Sequence, residues 1–449
     1  MGLMGTGFQD DLTLASLSED SDGTLMSGSQ RQEQVRASTR AHNGVDEGLE
    51  GEVIFAEPAD SPDSRSAFPR HAVRVAQRVP AVAPSFINGV GVVSADQVTA
   101  ALMAAIRSGR DGWRSTDEGL PVFDYDPGGK VAPIEISLQP PSDGGALPAG
   151  VAEMMWTIVD AFNDRDTDVL NILQAHILRH RDTDGFIWIT AKAILADRDI
   201  HPITKRSGLG RRTAGHRTDD IQQVAASMMR LQYLMVRVAT LRHGRNKLAS
   251  LLTRVVDVDM EGTDDGTLMA WHVTLPFLTR LFLQRSAAPE AMMLQQVLRY
   301  DQRNHSREKR IGDHILRAFR RSLGTTPPAL SADEWRAILA VSTDAEPLVV
   351  RFVLKDLFAE LALSLDLRNP ERTRSSFEAS LAQLKDHGII GRWGYCSYME
   401  LPSRRWLETW LGCAIWVISP PRVREYYAQL LTAAKSSADQ LHVSPPDVP

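Results

Sequence analysis

Cysteine is almost missing from this chain of 449 residues, which carries only Cys396 and Cys413. Two cysteines exclude a disulfide framework and a cysteine-rich zinc site, and they fit a reducing compartment. Long apolar runs are missing as well. The longest, near Trp410–Ile418, falls far short of the ~20 residues that a membrane helix needs. The start, MGLMGTGFQDDL, has neither the basic opening nor the apolar core of a signal peptide. A cytoplasmic protein without membrane contact is expected. The chain has no G-x-x-x-x-G-K-[ST], no H-E-x-x-H and no His-x-His. SGLGRR at Ser207–Arg212 has two glycines but no Lys-Ser/Thr ending. No nucleotide, metal or other cofactor is therefore expected.

Charge is unevenly spread. Residues 1–80 hold thirteen acidic and seven basic side chains, a balance of −6 that equals the whole-chain value. The rest of the chain sums to zero, so its basic clusters are local. From Lys205 to Lys247 ten basic residues face two acidic ones, a local +8. Such a patch is a candidate phosphate-binding face.

Residues 1–85 are rich in Ser, Gly, Asp, Glu and Gln, a composition that buries too little surface to offset chain entropy. They read as a disordered acidic leader. Residues 86–150 read as a small accessory segment and linker, with a helix after Ser94 and a strand-like stretch at Ile134–Leu138. Val151–Phe162 and Asp168–His180 have helical apolar spacing. Ile187 and Ile189 alternate with Trp188, as on a half-buried strand. Thr190 can cap AKAILADR. A long Gly- and Arg-rich loop leads to a helix over Asp219–Leu234, and β-branched runs at Leu234–Leu241 and Leu248–Met260 follow. This order of elements is that of a winged helix-turn-helix, with its wing placed at Arg242–Lys247.

Pro276–Tyr300 reads as helix with small breaks. From Arg307 the order returns. HILR occurs at His176–Arg179 and at His314–Arg317, each followed by a capped helix; the second cap is the Ser331-x-x-Glu334 box. Leu348–Leu367 reads as a further helix. Thr373–His387 is another, stopped by Gly388. Ile389–Leu401 and Cys413–Ser419 read as strands around a short helix near Arg404–Trp410. The expected fold is mainly α with β wings (α+β): two tandem winged helix-turn-helix domains behind the leader. Their expected bounds are 151–282 and 307–432, joined by a connecting segment at 283–306, with a disordered tail at 433–449.

Helices of such domains read base edges in the major groove while flanking cations hold phosphates. In the first domain Lys205, Arg206, Arg211, Arg212, His216 and Arg217 lie at or before the start of the reading helix. Gln222 and Gln223 are the candidates for base edges. Arg242, Arg245 and Lys247 are expected to reach the DNA from the wing. In the second domain Arg368, Arg372, Arg374 and Lys385 are the candidate phosphate contacts. The basic run Arg303–Arg321 either lines DNA or covers surface. Trp393, Tyr395, Tyr398, Trp406 and Trp410 can stack bases or pack a wing, and packing is the commoner use.

Catalysis competes with binding. Asp257 and Asp259 stand at i and i+2 on a strand, as the metal-binding carboxylates of a primase would. HILR with Tyr426 or Tyr427 offers the H-x-x-R and nucleophile of a tyrosine recombinase. The absent His-x-His disfavours a rolling-circle nickase. Binding of double-stranded DNA without catalysis is the favoured reading.

The stretches FIWITAKAILADR, RTDDIQQVAASMMRL, FEASLAQLKDHGIIGRWGY and WLETWLGCAIWVISPPRVREYY give the chain its resemblance to plasmid replication initiators built of two winged-helix domains, over roughly residues 151–431. The resemblance implies binding to repeated origin sites, opening of DNA, recruitment of host replication proteins and a balance of monomer and homodimer. The same fold serves transcription and partition regulators, so fold leaves the role open between them.

Overall fold

The computed structural model describes residues 73–75, 82–126, 133–139, 150–179, 185–207, 210–213, 215–238, 241–243, 246–248, 251–264, 268–279, 290–323, 330–341, 347–396, 406–429 and 432. Most of the expected leader, the expected tail, Arg245 and Tyr398 lie outside these.

The first recurring unit opens with helix Asp164–Arg179, strand Ile187–Thr190 and helix Ala191–Asp197. The Ile187 and Ile189 side chains are the buried members of their strand, as the alternation predicts. The Thr190 hydroxyl accepts from the Ala193 N–H at 3.1 Å and starts the helix, which is the expected cap. Helix Thr218–Gln232 turns Val224, Ser227, Met228 and Leu231 inward. Strands Asp257–Asp264 and Leu268–Thr274 then form an antiparallel hairpin. Leu268–Thr274 also pairs with Ile187–Thr190, so the last strand of the unit lies between the other two.

The second unit repeats that plan. Helix Ser306–Ser322 is followed by strand Val349–Val353, helix Leu354–Glu360, helix Pro370–Asp386, and strands Arg392–Tyr395 and Ala414–Ile418. Again the last strand lies between the other two. Asn369 accepts from the Arg372 N–H at 3.2 Å, and Pro370 occupies the first turn where its missing N–H costs nothing. Gly388, at φ +67°, ends this helix as expected, in a conformation that side chains disfavour.

Several expectations need correction. Leu348–Leu367 holds a strand and then a helix, so Val349–Val353 with Leu354–Glu360 is the counterpart of Ile187–Thr190 with Ala191–Asp197. The Ser331 box is real: the Glu334 N–H donates to Ser331 Oγ at 3.2 Å and the Ser331 N–H to the Glu334 carboxylate at 2.5 Å. Its helix, Ala332–Val341, is an addition that packs Ile338 and Trp335 on the sheet of the second unit. Within Pro276–Tyr300, Glu290–Leu294 is a strand paired with Val90–Ser94, because ladder partners and burial on one sheet outweigh the helix propensity of Met and Leu. The end of the expected leader is folded. Val73–Val75 pairs in parallel with residues 260–262, and Ser85 Oγ donates to Asp197 at 2.7 Å.

The stretch read as accessory segment supplies most of a five-stranded antiparallel sheet. Arg114–Ser115, Pro121–Tyr125 and Ile134–Leu138 are joined there by Leu234–Val238 and Leu251–Arg254. The architecture is therefore mixed α/β, with several small, mostly antiparallel sheets and more strand than expected.

Helix Asp164–Arg179 is buried on every side from Asp164 to Leu178, apart from the half-buried Arg165, although it carries four charged residues in its first two turns. Each buried carboxylate has a cation. Asp164 meets Arg310 at 2.9 Å, Asp166 meets Arg230 at 2.7 Å, and Asp168 meets Lys309 at 2.8 Å and Arg198 at 3.0 Å. Arg107 reaches Asp313 at 2.7 Å, and Arg317 reaches Asp313 at 3.1 Å and also bonds Asn171. Burial works to raise the Asp313 carboxyl, but the Arg317 and Arg107 guanidiniums outweigh it and hold it at about 2. Charges taken out of water are tolerated only when paired this way.

Candidate nucleic-acid interface

Helix Thr218–Gln232 begins after Arg217, with Asp219 and Asp220 in its first turn, where acidic side chains favour the helix dipole. Its exposed positions are Thr218, Asp219, Gln222, Gln223 and Met229. Arg217 is exposed beside them, and His216 is half-buried. Burial pushes the His216 imidazole down, and its Nδ1 has no hydrogen-bond partner. Arg230 leaves the charge count of the patch. It binds Asp166 through two nitrogens, at 2.7 and 3.1 Å, and so bolts this helix to Asp164–Arg179.

Lys205, Arg206, Arg211 and Arg212 belong to a two-stranded ribbon, Thr204–Ser207 with Gly210–Thr213. Its base is closed by a bond from the Ile203 N–H to the Gly215 carbonyl at 2.9 Å, with Gly215 at φ +81°. The ribbon is thus tethered at the N-terminal end of helix Thr218–Gln232, next to Arg217.

Arg242 and Lys247 sit opposite each other in a second ribbon, Leu241–His243 with Asn246–Leu248. This ribbon keeps the register of Leu234–Val238 with Leu251–Arg254, for Leu241 faces Leu248 and Val238 faces Leu251. In the chain it lies between Leu234–Val238 and Leu251–Arg254 of the five-stranded sheet, and it is not part of the sheet that holds Ile187–Thr190, where the expectation placed the wing. The hairpin in that topological position is Asp257–Asp264 with Leu268–Thr274, and Asp257, Asp259, Glu261 and Asp264 make its first strand acidic in sequence. The one basic stretch of the sequence is thus divided between two separate ribbons.

In the second unit Arg368, Arg372 and Lys385 are exposed, and helix Pro370–Asp386 buries Thr373, Phe377, Ser380, Leu381 and Leu384. Arg374 is held by Glu378 at 2.9 Å on its own helix. Glu378 also accepts from the Tyr395 hydroxyl at 2.7 Å, and that hydroxyl accepts from Trp410 Nε1 at 2.9 Å. Burial comes first in pushing the Tyr395 phenol up to about 12. Trp410 is buried edge-on against Phe358 and Phe377. The aromatic stripe packs here rather than offering stacking faces, except that Tyr398 lies outside the described residues. Of the run Arg303–Arg321, Lys309, Arg310 and Arg317 are spent in the ionic core, while Arg303 is exposed.

A bulge between Val258 and Met260 interrupts the alternation that would set positions 257 and 259 on one face. His176 Nε2 lies 2.8 Å from Asp197 in a buried pair, and the buried His314 places Nδ1 3.4 Å from the half-buried Glu360. Arg179 bonds the Pro84 carbonyl, and Tyr427 is buried with its hydroxyl accepting from the Met292 N–H at 3.0 Å. Among the described residues no helix is long and apolar enough to cross a membrane.

The reading from sequence missed the acidic series Asp164, Asp166 and Asp168. Its signal was present: three carboxylates among apolar residues, with a matching set of cations in the Arg303–Arg321 run.

No family model matches this chain, and no curated protein matches it. Two crystal structures of domains 2 and 3 of RctB align with it. One, of selenomethionine derivatives, is 13% identical over 71% of this chain and 97% of its own, with a TM-score of 0.34. The other is 12% identical over 73% of this chain and 99% of its own, also at 0.34. A TM-score that low carries no argument about this chain.

Proposed function

We propose that residues 164–274 and 306–418 are two winged-helix readers and that the chain binds duplex DNA without catalysing a reaction. One observation carries this: helix, strand, helix, helix, strand, strand, with the last strand central, occurs twice in one chain. In each copy cations or amides are exposed on the third helix or just before it: Arg217, Gln222 and Gln223 in one, Arg368, Arg372 and Lys385 in the other. That combination is what groove reading needs.

Replication initiation at repeated origin sites is the preferred role, in the cytoplasm, with host replication proteins and a second copy of the chain as partners. A transcription or partition regulator is the rival. Direct repeats beside the gene favour the initiator, and a single inverted repeat favours the regulator.

Fluorescence anisotropy of the full chain on duplex DNA at several salt concentrations tests the binding. Replacing Arg211, Arg212 and Arg217 together with Gln flattens the slope of log affinity against log salt by roughly 2–3 units. An unchanged slope removes these residues from the interface, and a chain that ignores duplexes at low salt removes the reading altogether.

A further inference from the structure

Cross-strand register decides what the ribbon before the reading helix is for. Lys205 stands opposite Arg212, and Arg206 stands opposite Arg211. Like charges directly opposite destabilise a ladder. A two-stranded ribbon outside a larger sheet is already marginal. No acidic residue occurs between Thr204 and Thr213. Successive positions of a strand belong to opposite faces, so one cation pair falls on each face of this ribbon.

The five-stranded sheet shows the ordinary arrangement. Asp124 stands opposite Glu135, and Glu135 opposite Arg237. Arg114 spans the two acids, at 3.1 Å from Asp124 and 3.6 Å from Glu135, and Arg237 approaches Glu135 at 3.8 Å. That row neutralises itself within the protein. The ribbon has a cation pair on each side and no acid of its own.

A surface that binds one phosphate backbone needs cations on one face only. Cations on both faces need anions on both sides, and the two walls of a duplex groove supply them. We infer that the Thr204–Thr213 ribbon stands within a groove of the DNA, with Lys205 and Arg212 gripping the phosphates of one strand and Arg206 and Arg211 those of the other. This rests on the duplex-binding reading above and deepens it. The ribbon is anchored by the Ile203–Gly215 bond immediately before the reading helix, so the groove it enters adjoins the bases that Gln222 and Gln223 face. Phosphates also offset the repulsion across the ladder, which makes the ribbon firmer on DNA than off it.

The probe is a duplex recovered by the full chain from a random-sequence pool. It is used as it stands and with neutral methylphosphonate linkages in one strand or the other across the ribbon's footprint. Two variants are compared with the native chain: K205Q with R212Q, and R206Q with R211Q. Each double variant lowers the salt slope by about 2 units on the unmodified duplex. Neutralising one strand abolishes the effect of the first variant and leaves that of the second, and neutralising the other strand reverses this. Without DNA, amide exchange across residues 204–213 slows in both variants, because the repulsion is gone. Coupling of both variants to the same strand overturns the inference, since the ribbon then lies along one backbone. Full binding by both variants with unchanged slopes overturns it too. Failure of the native chain to recover any duplex sinks the DNA reading itself, and is distinguishable from both.

Discussion

The two recurring units share a strand order but not a way of holding the third helix. In the first unit the helix is fixed by a buried ion pair, Asp166 with Arg230. In the second it is fixed by neutral packing and a hydroxyl: Ser380 Oγ donates to Glu308 at 2.7 Å, beside Phe377, Leu381 and Leu384. Their additions differ as well. The first unit gains two cationic ribbons, and the second gains helix Ala332–Val341 over its sheet and helix Trp406–Leu411 before its last strand. The first unit is elaborated with basic ribbons, the second with apolar and aromatic side chains. A repeated plan thus leaves each copy free to vary around the same strands.

The sharpest way to break that contrast is to unpair the charged clamp. D166N leaves Arg230 buried without its counter-charge and lowers unfolding free energy by about 3–5 kcal/mol. Urea melts of the full chain measure it, and a loss under about 1 kcal/mol means that the ion pair does not fasten the helix. Next comes pH. Burial pushes His314 down to about 3, with the nearby Arg321, Arg107 and Arg317 cations adding to it and the Asp313 carboxylate opposing; Glu360 lies 3.4 Å from its Nδ1. Its folded value is depressed below the unfolded ~6.5, so the unfolded chain takes up the proton first as pH falls. The stabilisation is complete above about pH 6.5 and is lost toward pH 3, at about 1.4 kcal/mol per pH unit within that window. H314Q should flatten the urea-derived stability between pH 6.5 and 5; an equal slope in both proteins assigns the dependence elsewhere. The smallest effect is expected at the hydroxyl clamp. S380A costs about 1.5–3 kcal/mol, the worth of a hydrogen bond to a carboxylate. A loss as large as that of D166N would erase the distinction between the two clamps.

Much of the fold was legible because its signals are local. Thr190, the Ser331 box and Gly388 act within a turn of where they stand. Alternation found Ile187–Thr190 and the Ile134–Leu138 strand. The run VVRFVLKDLFAEL defeated periodicity because no Gly or Pro separates its strand from its helix. That error in turn put the second repeat out of step, with Ser331 matched to Thr190. Helix Asp164–Arg179 looked amphipathic because the cations that let its polar side lie buried arrive from Lys309, Arg310 and Arg317, far along the chain. The candidate site was half legible. The basic residues were easy to find, but which of them Asp166 or Glu378 had already claimed, and which strand faced which, are matters of three-dimensional pairing.

The acids of helix Asp164–Arg179 each answer to a different master. Asp166 holds helix Thr218–Gln232 of the first unit, Asp164 holds Arg310 of the second, and Asp168 is shared between Arg198 of the first and Lys309 of the second. Sliding one unit past the other would strand several of these charges at once, each at several kcal/mol. Any shift of one unit against the other therefore breaks ion pairs whose carboxylates are buried from water, and the relative placing of the two units is fixed by charge as much as by packing.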